Sequence, residues 1–242
     1  MRKLSVVTLF LILALTAWTQ QAQAPVEITA EPHHKLVVEN KFVRAFAFAV
    51  DPGQSTLMHR HGHDYVSVFV GDSQANNTKE GAQPAAVSFK DGDVKFAPAG
   101  LVHAVTDTGT TPVRNATIEL LQPTTNQKPC TGDACAVPVN CSEAEKASCA
   151  TVTKAFTSDQ WTVTIVTIPA GGKYPEHTHT GGVLTMALTD ADVRMKSASR
   201  AKEIHSKAGD IQWHEPETHI ITNNGKNTVK VAVLEFAGTA GK

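Results

Sequence analysis

The sequence predicts an all-β protein in which two similar units, each a β-sandwich or β-barrel, follow one another and are joined by a cysteine-rich linker. The 242-residue chain consists largely of short alternating runs of apolar and polar residues, broken by Gly, Asp and Pro. Many short, regularly spaced strands of this kind are typical of sandwiches and barrels. The second half also repeats the pattern of the first, so we expect one such unit in each half.

The first 24 residues have the features of a secretory signal peptide. Arg2 and Lys3 form a basic start, the apolar run LSVVTLFLILALTAW follows, and Ala22-Gln23-Ala24 fits a small-residue cleavage site. The apolar run is short for a spanning helix, and no stop-transfer pattern follows it. We therefore expect residues 1–24 to be removed, leaving a periplasmic or extracellular protein that does not associate with membranes.

Four cysteines are clustered in the predicted linker, residues 125–149. They are Cys130, Cys135, Cys141 and Cys149. In an exported protein, an even and clustered set predicts disulfides, here two bridges with three possible connectivities. A zinc knot is the alternative interpretation, although the cysteine spacing fits no zinc-finger pattern.

The internal repeat is defined by a near-constant offset between its two copies. The segment VRAFAFAVDPGQSTLMHRH aligns with WTVTIVTIPAGGKYPEHTH. Equivalent histidines lie 118 and then 116 positions apart, namely His59 with His177 and His103 with His219. We therefore predict two homologous domains, residues 25–124 and residues 150–242.

Each half carries a pattern suited to binding a metal ion. Residues two apart on a strand share a face, so His59 and His61 point the same way. His103 follows a Pro/Gly turn at the start of another strand, where a barrel would return it to the first two. The equivalent set in the second half is His177, His179 and His219. His63, in the turn after the first pair, is expected to lie outside the ligand set.

The spacing of glycine, proline and histidine in the first half resembles the cupin family. Its two motifs are matched by Gly53, His59, His61 and Gly71, and then by Gly92, Pro98, Gly100 and His103. The second half matches these motifs more loosely. The resemblance implies a bicupin, in which two tandem double-stranded β-helix, or jelly-roll, barrels surround a metal site in the first barrel and a degenerate or second site in the other.

The cupin pattern places a glutamate ligand where this chain has Tyr65 and Val183. The resemblance therefore implies three-histidine sites, a set that includes oxygen-dependent dioxygenases. Neutral imidazole suits transition metals, so we expect one divalent ion per active barrel, Fe or Cu ahead of Ni, Zn or Mn. Three protein ligands leave open positions, and Tyr65 is expected to face them as a catalytic residue.

The expected function is that of a metal-dependent oxidoreductase of dioxygenase type acting on a small anionic or enol-like substrate. Two alternatives remain open, a non-oxidative lyase or isomerase and a non-catalytic binding protein for a small molecule or sugar. The formal net charge of −1 gives no indication of a nucleic-acid partner. The assembly is expected to be a monomer of two pseudo-dimeric barrels or a homo-oligomer.

One acidic residue recurs near the end of each half, as Glu119 and Glu235. We interpret both as strand residues that form outward-facing salt bridges. A proton relay inside the barrel is the alternative interpretation.

Overall fold

The computed structural model describes residues 24–238, and these form a nearly all-β structure of two barrels in tandem. The predicted all-β, two-barrel fold is confirmed. The predicted signal peptide lies outside the described residues, apart from Ala24. Within residues 24–238, helices are limited to short 3₁₀ segments, and none is long and apolar enough to cross a membrane. The domain limits given above stay a prediction.

The first barrel consists of two five-stranded sheets packed face to face. Its strands are β1 (Val26–Glu27), β2 (His34–Glu39), β3 (Val43–Val50), β4 (His59–Arg60), β5 (Tyr65–Phe69), β6 (Ser73–Lys79), β7 (Ala85–Phe89), β8 (Val94–Ala97), β9 (Val102–Asp107) and β10 (Val113–Leu120). One sheet has the order β1-β4-β9-β6-β7 and the other β2-β3-β10-β5-β8. From β3 onward the chain passes repeatedly from one sheet to the other, which is the jelly-roll pattern.

The second barrel repeats this arrangement. Its strands are β13 (Thr151–Thr157), β14 (Trp161–Ile168), β15 (Lys173–Thr178), β16 (Val183–Ala187), β17 (Ala191–Ser197), β18 (Ala201–Ser206), β19 (Ile211–His214), β20 (Thr218–Asn223) and β21 (Val229–Phe236). The strand order β15-β20-β17-β18 matches β4-β9-β6-β7 of the first barrel, and β14-β21-β16-β19 matches β3-β10-β5-β8.

The linker is fastened to the second barrel. Two short strands, β11 (Lys128–Pro129) and β12 (Ala136–Val137), both pair with β13. Disulfides join Cys130 to Cys135 and Cys141 to Cys149. The prediction of two bridges is confirmed, and the zinc-knot alternative is wrong because all four thiols are used in disulfides.

Reduction of these bridges is expected to lower the free energy of unfolding by roughly 2–3 kcal/mol per bridge, because the reduced chain regains loop entropy when unfolded. Urea unfolding with and without reductant measures this change. A variant with serine at the four cysteine positions is the control and should not respond to reductant. An identical unfolding midpoint for the oxidised and reduced protein would contradict the prediction.

The two barrels share a hydrophobic core, which fixes the orientation of the central strands. On β10, Ala116 and Ile118 pack in one cluster with Phe236 of the second barrel. The intervening residues Asn115 and Thr117 face the interior of the first barrel. Because a slip of one residue would exchange these two faces, the shared core holds the interior residues in register.

Candidate metal centres

The structure brings together the three histidines that the sequence places in the first site. His59 on β4 lies directly opposite His103 on β9, and His61 follows two residues after His59. The candidate ligand nitrogens of the three rings all lie within 4.8 Å of one another. All three side chains are buried. His63 does not belong to this group of ligand atoms.

Hydrogen bonds at Nδ1 set the orientation of two of the rings. His59 Nδ1 donates to the carbonyl of Leu57 at 2.9 Å, and His103 Nδ1 donates to Asn77 Oδ1 at 2.8 Å. Each ring therefore carries its lone pair on Nε2, which is how outer partners orient a metal-binding histidine. His59 Nε2 is buried without a hydrogen-bond partner among the described residues, and the Nε2 atoms of His61 and His103 are 3.1 Å apart. A metal ion fits these donors, because it would satisfy nitrogens that the protein leaves facing one another.

Burial keeps the three imidazoles neutral. Desolvation lowers the pKa of His59 to about 4. Desolvation and the neighbouring imidazoles lower the pKa of His61 to about 2 and that of His103 to about 3. Neutral imidazole is the form that binds a transition metal, so the triad is competent to bind one at neutral pH.

Tyr65 forms a wall of this site. Its ring stacks on His61, with centroids 3.9 Å apart and planes inclined by 15°. Burial raises the pKa of the phenol, which is therefore protonated at neutral pH and able to donate a hydrogen bond. Across the described residues, no carboxylate belongs to the group of ligand atoms around the first triad.

The triad opens into a cavity of about 760 Å³ between the two sheets of the first barrel. Ser67 on β5 and Asn115 and Thr117 on β10 give this cavity a polar wall. Lys79 and Lys95 also line it and supply positive charge, and Lys79 lies opposite His103 in the strand pairing. The cavity is large enough for a small organic molecule with polar or anionic groups.

Sequence reasoning missed a buried acid–base pair beside the first triad. His34 Nδ1 donates to Glu31 at 2.8 Å, and the backbone N–H groups of His33 and Leu57 donate to the same carboxylate. Burial opposes ionisation of Glu31, but these bonds and His34 outweigh it and hold the pKa of Glu31 below its usual value. The ring of His34 lies 4.8 Å from that of His59. The sequence signal that could have indicated this pair is the Glu-Pro-His-His stretch of residues 31–34, which runs into the start of β2.

The second barrel holds an equivalent triad that is only half-buried. His177 lies opposite His219, and with His179 their candidate ligand nitrogens also fall within 4.8 Å of one another. His177 Nδ1 donates to the carbonyl of Pro175 at 2.8 Å, and His179 Nδ1 donates to Glu235 at 2.9 Å. Desolvation lowers the pKa of His177, and it lowers that of His219 to about 4. This set also fits a metal ion, although it is more accessible to solvent than the first.

The prediction that the two recurring glutamates face outward is wrong. Every second residue of β10 and of β21 faces the interior of its barrel. Glu119 and Glu235 both occupy such interior positions. Glu119 is fully buried, with Oε2 2.9 Å from Nη2 of Arg44, the residue opposite it on β3. Glu235 lies opposite Thr162, which carries no charge, so its carboxylate is free to bond His179.

Comparison with known proteins identifies the fold. No protein-family model matches the sequence, and neither does any curated protein. The crystal structure of AerE from Microcystis aeruginosa superposes with a TM-score of 0.57 at 11% identity, covering 86% of this chain and 98% of that one. A structure reporting the Mn(II) centres of oxalate decarboxylase from Bacillus subtilis gives a TM-score of 0.55 at 14% identity, covering 84% and 71%. The chain therefore has the two-barrel cupin fold of oxalate decarboxylase, with a histidine triad in each barrel.

Proposed function

We propose that this chain is an exported metal-dependent oxidoreductase of dioxygenase type that acts on a small anionic or enol-like substrate. Its working centre is the first triad, His59, His61 and His103. The observation that carries the proposal is the convergence of three buried, neutral imidazoles, with no carboxylate in the group of ligand atoms, on a cavity that has one polar wall. The second barrel holds the weaker metal site.

The metal is Fe or Cu in this proposal, with Ni, Zn and Mn as alternatives that suit the same imidazole donors. When bound, the ion would supply Lewis-acid and redox chemistry, with positions open to both substrate and oxygen. The chain contributes three ligands, and the Leu57 carbonyl and the Asn77 side chain orient two of them, His59 and His103, in advance. It also excludes bulk water from the rings, since all three are buried.

The remaining cavity residues bind and orient the substrate. Lys79 attracts an anionic group, because it brings positive charge to a cavity wall that bears no acidic side chain among its described residues. Lys95 contributes less, because its Nζ lies 3.7 Å from Oδ2 of Asp93. The protonated hydroxyl of Tyr65 donates a hydrogen bond to an oxygen atom of the substrate. His34 donates through Nδ1 to Glu31, so its Nε2 can accept a proton from a substrate at the cavity wall.

Replacing Tyr65 by phenylalanine is expected to leave the metal content unchanged and to lower turnover by roughly a hundredfold, because only the hydrogen-bond donor is lost. The ring stacked on His61 is kept. Replacing Tyr65 by glutamate adds a fourth ligand, so this variant is expected to bind metal more tightly and to turn over more slowly. Elemental analysis and rate measurements on both variants test this. Loss of metal from the Tyr65→Phe variant would mean that tyrosine is itself a ligand.

A non-oxidative lyase or isomerase is the second candidate function. The protonated phenol of Tyr65 and the polar wall of the cavity also suit proton transfer to a substrate carbanion. The fold shared with oxalate decarboxylase favours the same class. A non-catalytic protein that binds a small molecule or sugar is the third candidate.

Oxygen dependence separates these functions. The purified protein, loaded in turn with Fe(II) and Cu(II), is incubated with a panel of small 2-oxo acids, dicarboxylic acids and enols. The proposal predicts oxygen uptake in proportion to product, and no product without oxygen. Equal turnover with and without oxygen would contradict the dioxygenase function and indicate a lyase or isomerase. Saturable binding of a compound without product formation would indicate a non-catalytic binding protein.

Export is the other part of the proposal that needs a direct test. The signal-like residues 1–24 and the two disulfides support it. Mass spectrometry of the mature protein is expected to find an N-terminus at Pro25 or within a few residues of it. A cytoplasmic protein that still begins at Met1 would contradict this expectation.

A further inference from the structure

The two barrels carry the same triad, but their cavities differ in polarity at equivalent positions of two strands. β10 and β21 are equivalent central strands, and their residues Glu119 and Glu235 occupy the same place in the repeat. Two and four residues earlier on the interior face, β10 has Thr117 and Asn115, whereas β21 has valine in both places. The same contrast occurs on the neighbouring strand, where the first barrel has Tyr65 and the second has Val183.

The cavity of the second barrel is smaller and mostly apolar. Its volume is about 250 Å³, and eight valines, three isoleucines and one methionine are among the residues that line it, including Val166, Ile168, Val183, Met195, Val231 and Val233. No lysine or arginine occurs among the residues that line it in the described chain, in contrast to Lys79 and Lys95 of the first cavity.

Several polar groups of the second cavity are already bonded to one another. Thr185 Oγ1 lies 3.0 Å from Nε2 of His214, and Glu235 accepts from His179. Among the described side chains that line this cavity, an anion would therefore meet no lysine or arginine and would face the negative charge of Glu235, so that only a metal ion at the triad would offer it a positive charge. Because a buried charge without a partner is costly, this cavity disfavours the anionic molecules that the first cavity attracts.

We infer that the second barrel is a separate binding site for a small, uncharged molecule with an apolar body. An apolar cavity of roughly 150 Å³ is enough to bind benzene, so the larger cavity here suits one aromatic ring with a short substituent or an aliphatic molecule of similar size. The apolar body lies against Val231 and Val233, and one oxygen or nitrogen atom of the molecule faces the triad. This inference goes beyond the proposed function, which concerns the first barrel.

Titration of the full mature protein with (trifluoromethyl)benzene, followed by ¹⁹F NMR, tests the inference. The expected result is saturable binding of one probe molecule per chain. Val231→Asn combined with Val233→Thr copies the wall of the first barrel into the second and is expected to weaken binding at least tenfold, because apolar contacts are replaced by polar groups. Ala187→Leu fills the cavity and is expected to weaken binding for a steric reason.

The matched control is Val105→Asn, which places an amide in the wall of the first cavity instead. This variant is expected to bind the probe as the wild type does. Circular dichroism tests whether each variant is folded. If the double variant is unfolded, the binding measured for Ala187→Leu is used by itself to test the second cavity. The inference is overturned if the wild type shows no saturable binding, if Val105→Asn weakens binding as much as the second-barrel changes, or if the folded second-barrel variants bind normally. None of these readouts depends on turnover in the first barrel.

Discussion

Replacing both His59 and His61 by alanine is expected to abolish metal binding by the first barrel and, with it, turnover. The change removes two of the three imidazoles whose nitrogens converge there, and His103 alone cannot hold the ion. Titration of chelator-treated protein with Co(II), followed by its visible absorption, measures the loss. The wild type is expected to show two binding events, and the variant is expected to lose the tighter one.

The matched control is the equivalent pair in the second barrel, His177→Ala with His179→Ala. This variant is expected to keep the tighter Co(II) site and most of the activity, because the first triad is untouched. If the second pair alone proves essential for activity, then the catalytic metal centre lies in the second barrel and not in the first.

Replacing Arg44 by methionine is expected to destabilise the protein by about 3–5 kcal/mol, because it leaves Glu119 buried without its cation. Burial raises the pKa of Glu119 and Arg44 opposes that rise, so the variant raises this pKa further. As the pH increases above the usual pKa of glutamate, the unfolded state ionises before the folded state does. The loss of stability is therefore expected to be greater at pH 8 than at pH 5.

Urea unfolding at the two pH values measures this effect. The control is Arg44→Met combined with Glu119→Gln, which removes the buried charge and is expected to recover much of the stability. A loss below about 1 kcal/mol for Arg44→Met would be typical of a solvent-exposed ion pair and would mean that Glu119 reaches water.

The fold and the two triads could be predicted from sequence because both depend on local periodicity. Alternation along short strands indicated the all-β class, and the repeat indicated two units. The His-x-His spacing placed His59 beside His61 on one face, and the cupin resemblance supplied the third ligand. The pairing of distant strands that brings His103 to His59 is not visible in local periodicity, and the resemblance stood in for it.

The orientation of Glu119 could not be predicted because the usual rule is inverted on its strand. Alternation normally places apolar residues in the barrel and polar residues in solvent. On β10, however, Ala116 and Ile118 pack against the other barrel, while Asn115 and Thr117 line the cavity. The interface between the barrels buries both faces of the strand, and that interface is a tertiary feature.

The partners of the ligands were missed for a similar reason. Glu31 and His34 reach the first triad only because the chain around β1 and β2 folds against β4. Glu235 reaches His179 because the residue opposite it on β14 is an uncharged threonine. Contacts of this kind depend on cross-strand pairing between distant segments, which the spacing of residues in one segment does not reveal.

The metal content of the His177→Ala, His179→Ala variant is the decisive measurement for the first metal centre, because only the first triad remains intact in this variant. Elemental analysis of this purified, folded protein is predicted to find one transition-metal ion per chain. A folded variant that binds no transition metal, even after incubation with Fe(II), Cu(II) and Mn(II), would contradict the claim that His59, His61 and His103 form the principal metal centre.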